Sequence, residues 1–238
     1  MRTLAIGDIH GCLSAFNLLL EVIDPRPEDV IVTLGDYVDK GHQSKGVIDK
    51  LISLHKRGQL VALKGNHELM MLEARQSLEK EFDWLNNHDG KSTIDSYAKL
   101  GLPARLEDIP DAHWHFIEDI CVDWWERDNH FFVHANIDPY LPFEEQPEDK
   151  LFWEKFINPK PHYSNKIMVC GHTSQKRGEP VNIGYAICID TWACGDGWLT
   201  GLDIETGQIW QTNQQGQVKM ASIDDFYLTK EQLLLQVR

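Results

Sequence analysis

Short apolar runs alternate with segments of helical spacing along the first part of the chain. Leu4–Ile6 is apolar and stops at Gly7, which predicts a strand. Leu13, Phe16, Leu19, Leu20 and Ile23 then share one helical face, and Pro25 ends that helix. Val30–Leu34 reads as a second buried strand. Val47, Ile48, Leu51, Ile52 and Leu54 mark a second helix with Gly58 at its C-terminal cap, and Leu60–Leu63 is a third strand. This β-α-β-α-β order predicts parallel strands joined by right-handed crossovers. Helical character resumes after Asn66 and runs through Glu68–Arg75. The segment from about 76 to 120 is polar and contains tryptophans, and reads as a mostly helical insertion. Cys121–Ala135 predicts two strands about a turn at Asp128–Asn129. Further strands are expected at Ile167–Cys170, Val181–Ile183, Ala186–Asp190 and Trp198–Ile204, the last paired with Gln208–Gln211 across Glu205–Gly207. This second half reads as antiparallel. No repeat, low-complexity tract or linker interrupts the pattern, so residues 1–238 read as a single domain.

Composition narrows the function classes. The chain has 238 residues, of which 42% are hydrophobic, enough to bury a sizeable core. Its formal net charge is −14 without any basic block, a surface that repels phosphate backbones and argues against nucleic-acid binding. Five cysteines without CxxC spacing argue for free thiols in a reducing compartment. The N-terminal apolar run is too short for a secretion signal, and no apolar run has the length of a membrane span. The expectation is a soluble cytoplasmic protein.

The chemistry concentrates in loops that follow the apolar strands. GDIHG carries Asp8 and His10, GDYVD carries Asp36 and Asp39, and GNHE carries Asn66, His67 and Glu68; VHAN and CGHT add His134 and His172. Alone, Asp36 and Asp39 would read as turn residues, and His134 as a hydrogen-bonded core histidine. Together they read differently, because in a parallel sheet the carboxyl ends of the strands share one edge, where ligands bind. Imidazole, carboxylate and amide oxygen suit manganese, iron or zinc better than calcium. Two such ions would clamp an in-line phosphoryl displacement and supply hydroxide at neutral pH. Asp36 is central in the set and reads as the bridging carboxylate.

GDIHG, GDYVDKG, GNHE and the later VHA and GH together resemble the phosphoprotein phosphatases of the calcineurin-like metallophosphoesterase superfamily. QSKG, HANIDP and GLDIETG are similar to the bacterial serine/threonine branch. The resemblance implies an α/β (α+β) fold, a four-layer αββα sandwich of two mixed β-sheets flanked by helices. It implies one divalent metal held by Asp8, His10 and Asp36, and a second held by Asp36, Asn66, His134 and His172, manganese being favoured over iron or zinc. It implies a metal-bridging hydroxide as nucleophile, His67 as the acid that protonates the leaving oxygen, and Asp39 as the carboxylate that orients it. Lys40, Lys155 and Asn66 are the implied contacts to the substrate phosphate.

The chain departs from that pattern at several places. Lys40 stands where the family usually has arginine, and Lys155 and Lys64 are placed where arginine is common. A lysine keeps the charge and loses the planar bidentate fork, which predicts weaker phosphate binding. Asn136 stands where the usual pattern has glycine; it either narrows the groove or contacts substrate, or is simply a residue tolerated in the left-handed region. Trp192, in TWACGDGW, is either a wall of the site or part of the core. The other histidines read as structural or exposed.

The expected function is a metal-dependent phosphomonoesterase acting on phosphoserine or phosphothreonine, with phosphotyrosine also open, in a protein or a small phosphomonoester. The alternatives are a symmetrical dinucleoside tetraphosphate (Ap4A) hydrolase and a metal-binding scaffold without catalysis. Intact His67 and Asp39 argue against the scaffold. The oligomeric state is open.

Overall fold

The computed structural model describes residues 1–99 and 102–236. The expected β-α-β-α-β run forms as β1 (Thr3–Ile6), α1 (Leu13–Ile23), β2 (Val30–Thr33), α2 (Ser44–Lys56) and β3 (Leu60–Ala62), and α3 (Asn66–Ala74) follows. The stretch 76–120 contains α4 (Leu78–Asn87), α5 (Gly90–Asp95) and α6 (Asp111–His115), then a π-helical turn over Phe116–Ile120. Beyond it lie β4 (Trp124–Arg127), β5 (His130–Val133), α7 (Glu148–Phe152), β6 (Ile167–Cys170), β7 (Val181–Asn182), β8 (Ala186–Cys188), β9 (Leu199–Asp203), β10 (Gln208–Thr212), β11 (Val218–Ser222) and α8 (Lys230–Gln236).

Two mixed sheets result. One runs β11-β10-β9-β1-β2-β3 and the other β4-β5-β6-β8-β7. β1, β2 and β3 pair in parallel, Leu4 opposite Ile31 and Ile31 opposite Leu60. β9 runs antiparallel to β1, which returns the C-terminal part of the chain to the first sheet.

The strand period of two builds the layers. Leu4, Ile6 and Ile31 face the helices that cover the first sheet, while their neighbours Ala5 and Val32 face the second sheet. On the second sheet Phe132, Val169 and Ile187 meet that same inner layer, and Phe131, Met168, Cys170 and Cys188 point to the outer one, where Leu151 and Phe152 of α7 pack. The outcome is a sandwich of two sheets flanked by helices, as expected.

The antiparallel reading of the second half needs correction. β4 and β5 pair antiparallel, but β5 with β6 and β6 with β8 are parallel. Alternation shows which face a residue takes and carries no strand direction. The direction is set by the long connection from His134 to Lys166, which contains α7 and works as a crossover. β11 escaped the sequence reading because it is an edge strand with little burial, so its pattern is weak. All five cysteines are free thiols. Among the described residues no helix is long and apolar enough to cross a membrane.

Candidate dinuclear metal centre

Loops from both sheets meet at one edge of the sandwich. Those following β1, β2 and β3 come from the first sheet, and those following β5 and β6 from the second. The first two are stitched together: the backbone amides of Ile9 and His10 donate to the Asp36 carbonyl at 3.1 and 2.8 Å, and Gly11 donates to the Tyr37 carbonyl at 2.9 Å. Glu68 clamps the second and third loops. Its carboxylate accepts from the backbone N–H of Asp36 and Tyr37, both at 2.8 Å, of Gly65 at 2.9 Å and of Val38 at 3.3 Å. Burial first, and Asp36 second, push the Glu68 carboxyl up to about 8. These turns require unusual backbone. His10, Asp36, Asp39, Lys40 and His172 all have positive φ, between 43° and 68°. Non-glycine residues seldom adopt that region, and such strain gathers at functional sites.

Asp36 lies at the centre of the assembled side chains. Its Oδ2 is 3.3 Å from His10 Nε2 and 4.0 Å from His67 Nε2, and its Oδ1 is 3.4 Å from His134 Nε2. Asn66 Oδ1 lies 3.0 Å from both His134 Nε2 and His172 Nδ1. Two groups could each hold an ion, with ligand atoms all within 4.8 Å of one another: His10, Asp36 and His67, and Asp36, His134 and His172.

The far side of each ring fixes its tautomer. His10 Nδ1 donates to the Val38 carbonyl at 2.8 Å, His134 Nδ1 to the Leu34 carbonyl at 2.7 Å, and His172 Nε2 to the Trp153 carbonyl at 3.1 Å. A carbonyl can only accept, so the proton sits on that nitrogen and the lone pair of the other turns toward Asp36 and Asn66. Metal-ligating histidines are typically oriented in this way. Burial lowers the pKa of His134, and burial followed by the neighbouring His134 lowers that of His172 to about 4, which keeps both lone pairs free. At His10 burial acts downward too, but the Asp36 carboxylate outweighs it and the net direction is up. Asp36 itself is held well below the usual carboxylate range: burial opposes this, and His134, His67 and His10 overcome it.

Asp8 is arranged differently from its expected partners. Its Oδ2 accepts the His172 backbone N–H at 2.9 Å, while its Oδ1 is buried without a hydrogen-bond partner. A side chain on Gly171 would collide with that oxygen, so the loop permits no residue larger than glycine there. Burial, then Asp190 and Asp36, raise the Asp8 pKa well above its ordinary value. An orphaned carboxylate oxygen beside oriented imidazoles is a donor set that fits divalent cations. His67 also lies close to His10 and Asp36, with its Nε2 4.0 Å from Asp36 Oδ2.

His67 Nδ1 lies 2.7 Å from Asp39 Oδ2, so its Nε2 faces Asp36. Lys40 Nζ is 2.8 Å from His10 Nε2, inside the cluster. Lys155 is not. It is exposed and lines a separate cavity of about 690 Å³, with Thr173, Lys176 and Tyr227 among its walls and none of the His/Asp cluster. Lys64 pairs with Asp123 at 3.1 Å. Asn136 does not take the left-handed backbone; it is buried and its amide donates to Glu154 at 3.1 Å. Trp192 is half-buried against Gly195.

Several contributors were not identified from sequence. Glu68 was seen within its motif but given no task, although glutamate at the third position of a helix is a known cap signal. Trp84 of α4 and Thr93 of α5 reach Asp39. The carbonyls that orient the histidines belong to apolar residues and leave no trace in side-chain chemistry.

The family model for calcineurin-like phosphoesterase matches residues 1–197. Serine/threonine-protein phosphatase 1 of Salmonella typhimurium is 29% identical over 82% of this chain and 88% of its own length. A symmetrical bis(5'-nucleosyl)-tetraphosphatase of Janthinobacterium sp. is 30% identical over 58% of this chain, and that match spans only 45% of the relative. A crystal structure of a candidate diadenosine tetraphosphatase superposes with a TM-score of 0.63 at 22% identity, covering 93% of each chain, a likeness of fold.

Proposed function

The chain belongs to the calcineurin-like phosphoesterase family, and from that premise we propose that it is a dinuclear-metal phosphomonoesterase whose substrates are phosphoserine and phosphothreonine proteins. The observation that carries the hydrolytic reading is the set of three carbonyl-tethered imidazoles around Asp36, with His67 backed by Asp39 beside them. The protein-phosphatase reading is favoured by the near full-length match to the Salmonella enzyme. The tetraphosphatase match, with slightly higher identity over a shorter span, keeps Ap4A as the second reading.

His10, His134 and His172 offer imidazole lone pairs, Asn66 an amide oxygen, and Asp36 and Asp8 carboxylates, a set suited to manganese, iron or zinc. Held by these residues, divalent ions would supply hydroxide at neutral pH and neutralise phosphoryl charge. The chain's own part is positioning and proton supply. Asp39 holds His67 Nδ1, so Nε2 is the nitrogen that delivers a proton to the leaving oxygen. Lys40 brings one ammonium to the phosphate oxygens, with Asn66 nearby. Lys155 is assigned no phosphate contact, since its cavity excludes the cluster.

The test is turnover by the manganese-loaded protein on p-nitrophenyl phosphate, a phosphoserine peptide and Ap4A. Cleavage of the first two with little Ap4A cleavage is expected. Ap4A turnover far above phosphopeptide turnover would transfer the assignment to the second reading, and inactivity on all three with metals bound would leave a scaffold.

Lys40→Arg should lower KM for p-nitrophenyl phosphate by about threefold, because a guanidinium fork grips two phosphate oxygens where an ammonium offers a point charge. An unchanged or raised KM removes Lys40 from the phosphate site.

A further inference from the structure

Asp39 is fully buried, and its hydrogen bonds extend beyond His67 into the helical insertion. Oδ2 accepts the indole N–H of Trp84 at 2.9 Å as well as His67 Nδ1 at 2.7 Å. Oδ1 accepts the hydroxyl of Thr93 at 2.7 Å, and the same hydroxyl oxygen accepts the backbone N–H of Asp39, also at 2.7 Å. Ser44 Oγ, at the start of α2, lies 3.3 Å from the Thr93 hydroxyl. Trp84 is on α4 and Thr93 on α5, so two separate helices of the insertion hold one carboxylate.

The contact is built into the packing of the insertion. Trp84 is almost wholly buried, and a side chain at Gly90 would run into its ring. An indole N–H can only donate, and the ring has little freedom to place it elsewhere. Asp39 itself has positive φ. The carboxylate is therefore fixed from below by its backbone and Thr93, and from the side by Trp84. A buried carboxylate with fewer donors would turn toward whatever donor remained.

We propose that Trp84 and Thr93 are positioning residues for proton donation by His67: they lock the Asp39 carboxylate in the rotation that aims His67 Nε2 at the leaving oxygen. This rests on the reading of His67 as the acid. It also gives the insertion a place in the chemistry, because motion of α4 against α5 would tilt the imidazole.

The experiment compares kcat and KM of manganese-loaded variants on p-nitrophenyl phosphate, whose leaving group needs little protonation, and phenyl phosphate, which needs more. Trp84→Phe and Thr93→Val are expected to lower kcat on phenyl phosphate about tenfold, with much smaller losses on the nitrophenyl ester and KM unchanged. Thr93→Ser should recover most of what Thr93→Val loses. Equal losses on both esters, or no loss on either, would overturn the proposal; if Trp84→Phe does not fold, the Thr93 pair decides alone. His67→Asn on the same esters separates the two levels. If His67→Asn shows no leaving-group dependence, the acid assignment fails. If it does and the Trp84 and Thr93 variants do not, only the positioning role fails.

Discussion

Asp36→Asn should abolish ester hydrolysis, with turnover of p-nitrophenyl phosphate falling at least about a thousandfold. The substitution conserves shape and removes charge. Asp36 Oδ2 faces His10 and His67, while Oδ1 faces His134 and accepts the backbone N–H of His67 at 3.2 Å. An asparagine has one acceptor oxygen for those two sides, and its NH2 must oppose a nitrogen on the other. The fold should survive, because the loop is held by backbone groups: the Asp36 carbonyl accepts from Ile9 and His10, and its amide donates to Glu68. Melting temperature and bound metal, measured beside turnover, check that distinction. A variant that keeps a tenth of the parent activity with manganese bound would show that the two halves of the centre do not share this carboxylate.

His67→Asn is the second large effect. Loss of a general acid should reduce kcat on phenyl phosphate, whose leaving group needs protonation, by about a hundredfold to ten-thousandfold with little change in KM. The geometry makes metal content the informative readout. His67 Nε2 stands 4.0 Å from Asp36 Oδ2, close enough to join His10 and Asp36 as a third donor. Two ions retained per chain, with kcat reduced, is the expected result. Loss of one ion would make His67 a ligand and leave the acid unassigned.

The strands of this fold were legible as short unbroken apolar runs, whereas the layers came only with the family resemblance. Leu4 and Ala5, or Phe131 and Phe132, lie on opposite faces yet are all apolar and buried, so the residues do not mark which face is which. Strand direction was legible in the first half, where helices alternate with strands, but not in the second, since β6 would show the same pattern running either way. The candidate site was legible where its loops carry imidazole or carboxylate directly after a strand, and the structure brings Asp8, His10, Asp36, Asn66, His67, His134 and His172 to one edge. Sequence could not say which donor faces which: Asp8 accepts the His172 amide, while the His67 ring stands edge-on to that of His10. Lys155 was placed by analogy with a motif; it is exposed and lines a cavity that none of the His/Asp cluster borders. Trp84 had no chance of being recognised, because a tryptophan on an amphipathic helix reads as core, and it is core. Only the direction of its N–H gives it a second task.

The left-handed backbone at His10, Asp36, Asp39, Lys40 and His172 carries an evolutionary cost. Each such residue gives up on the order of 1 kcal/mol that a glycine would not. Glycine at any of these positions would relax the chain and delete the side chain at that place in the site. Selection for heat resistance alone would thus pull these loops toward sturdier, inert descendants, and only continued demand for the chemistry keeps them strained.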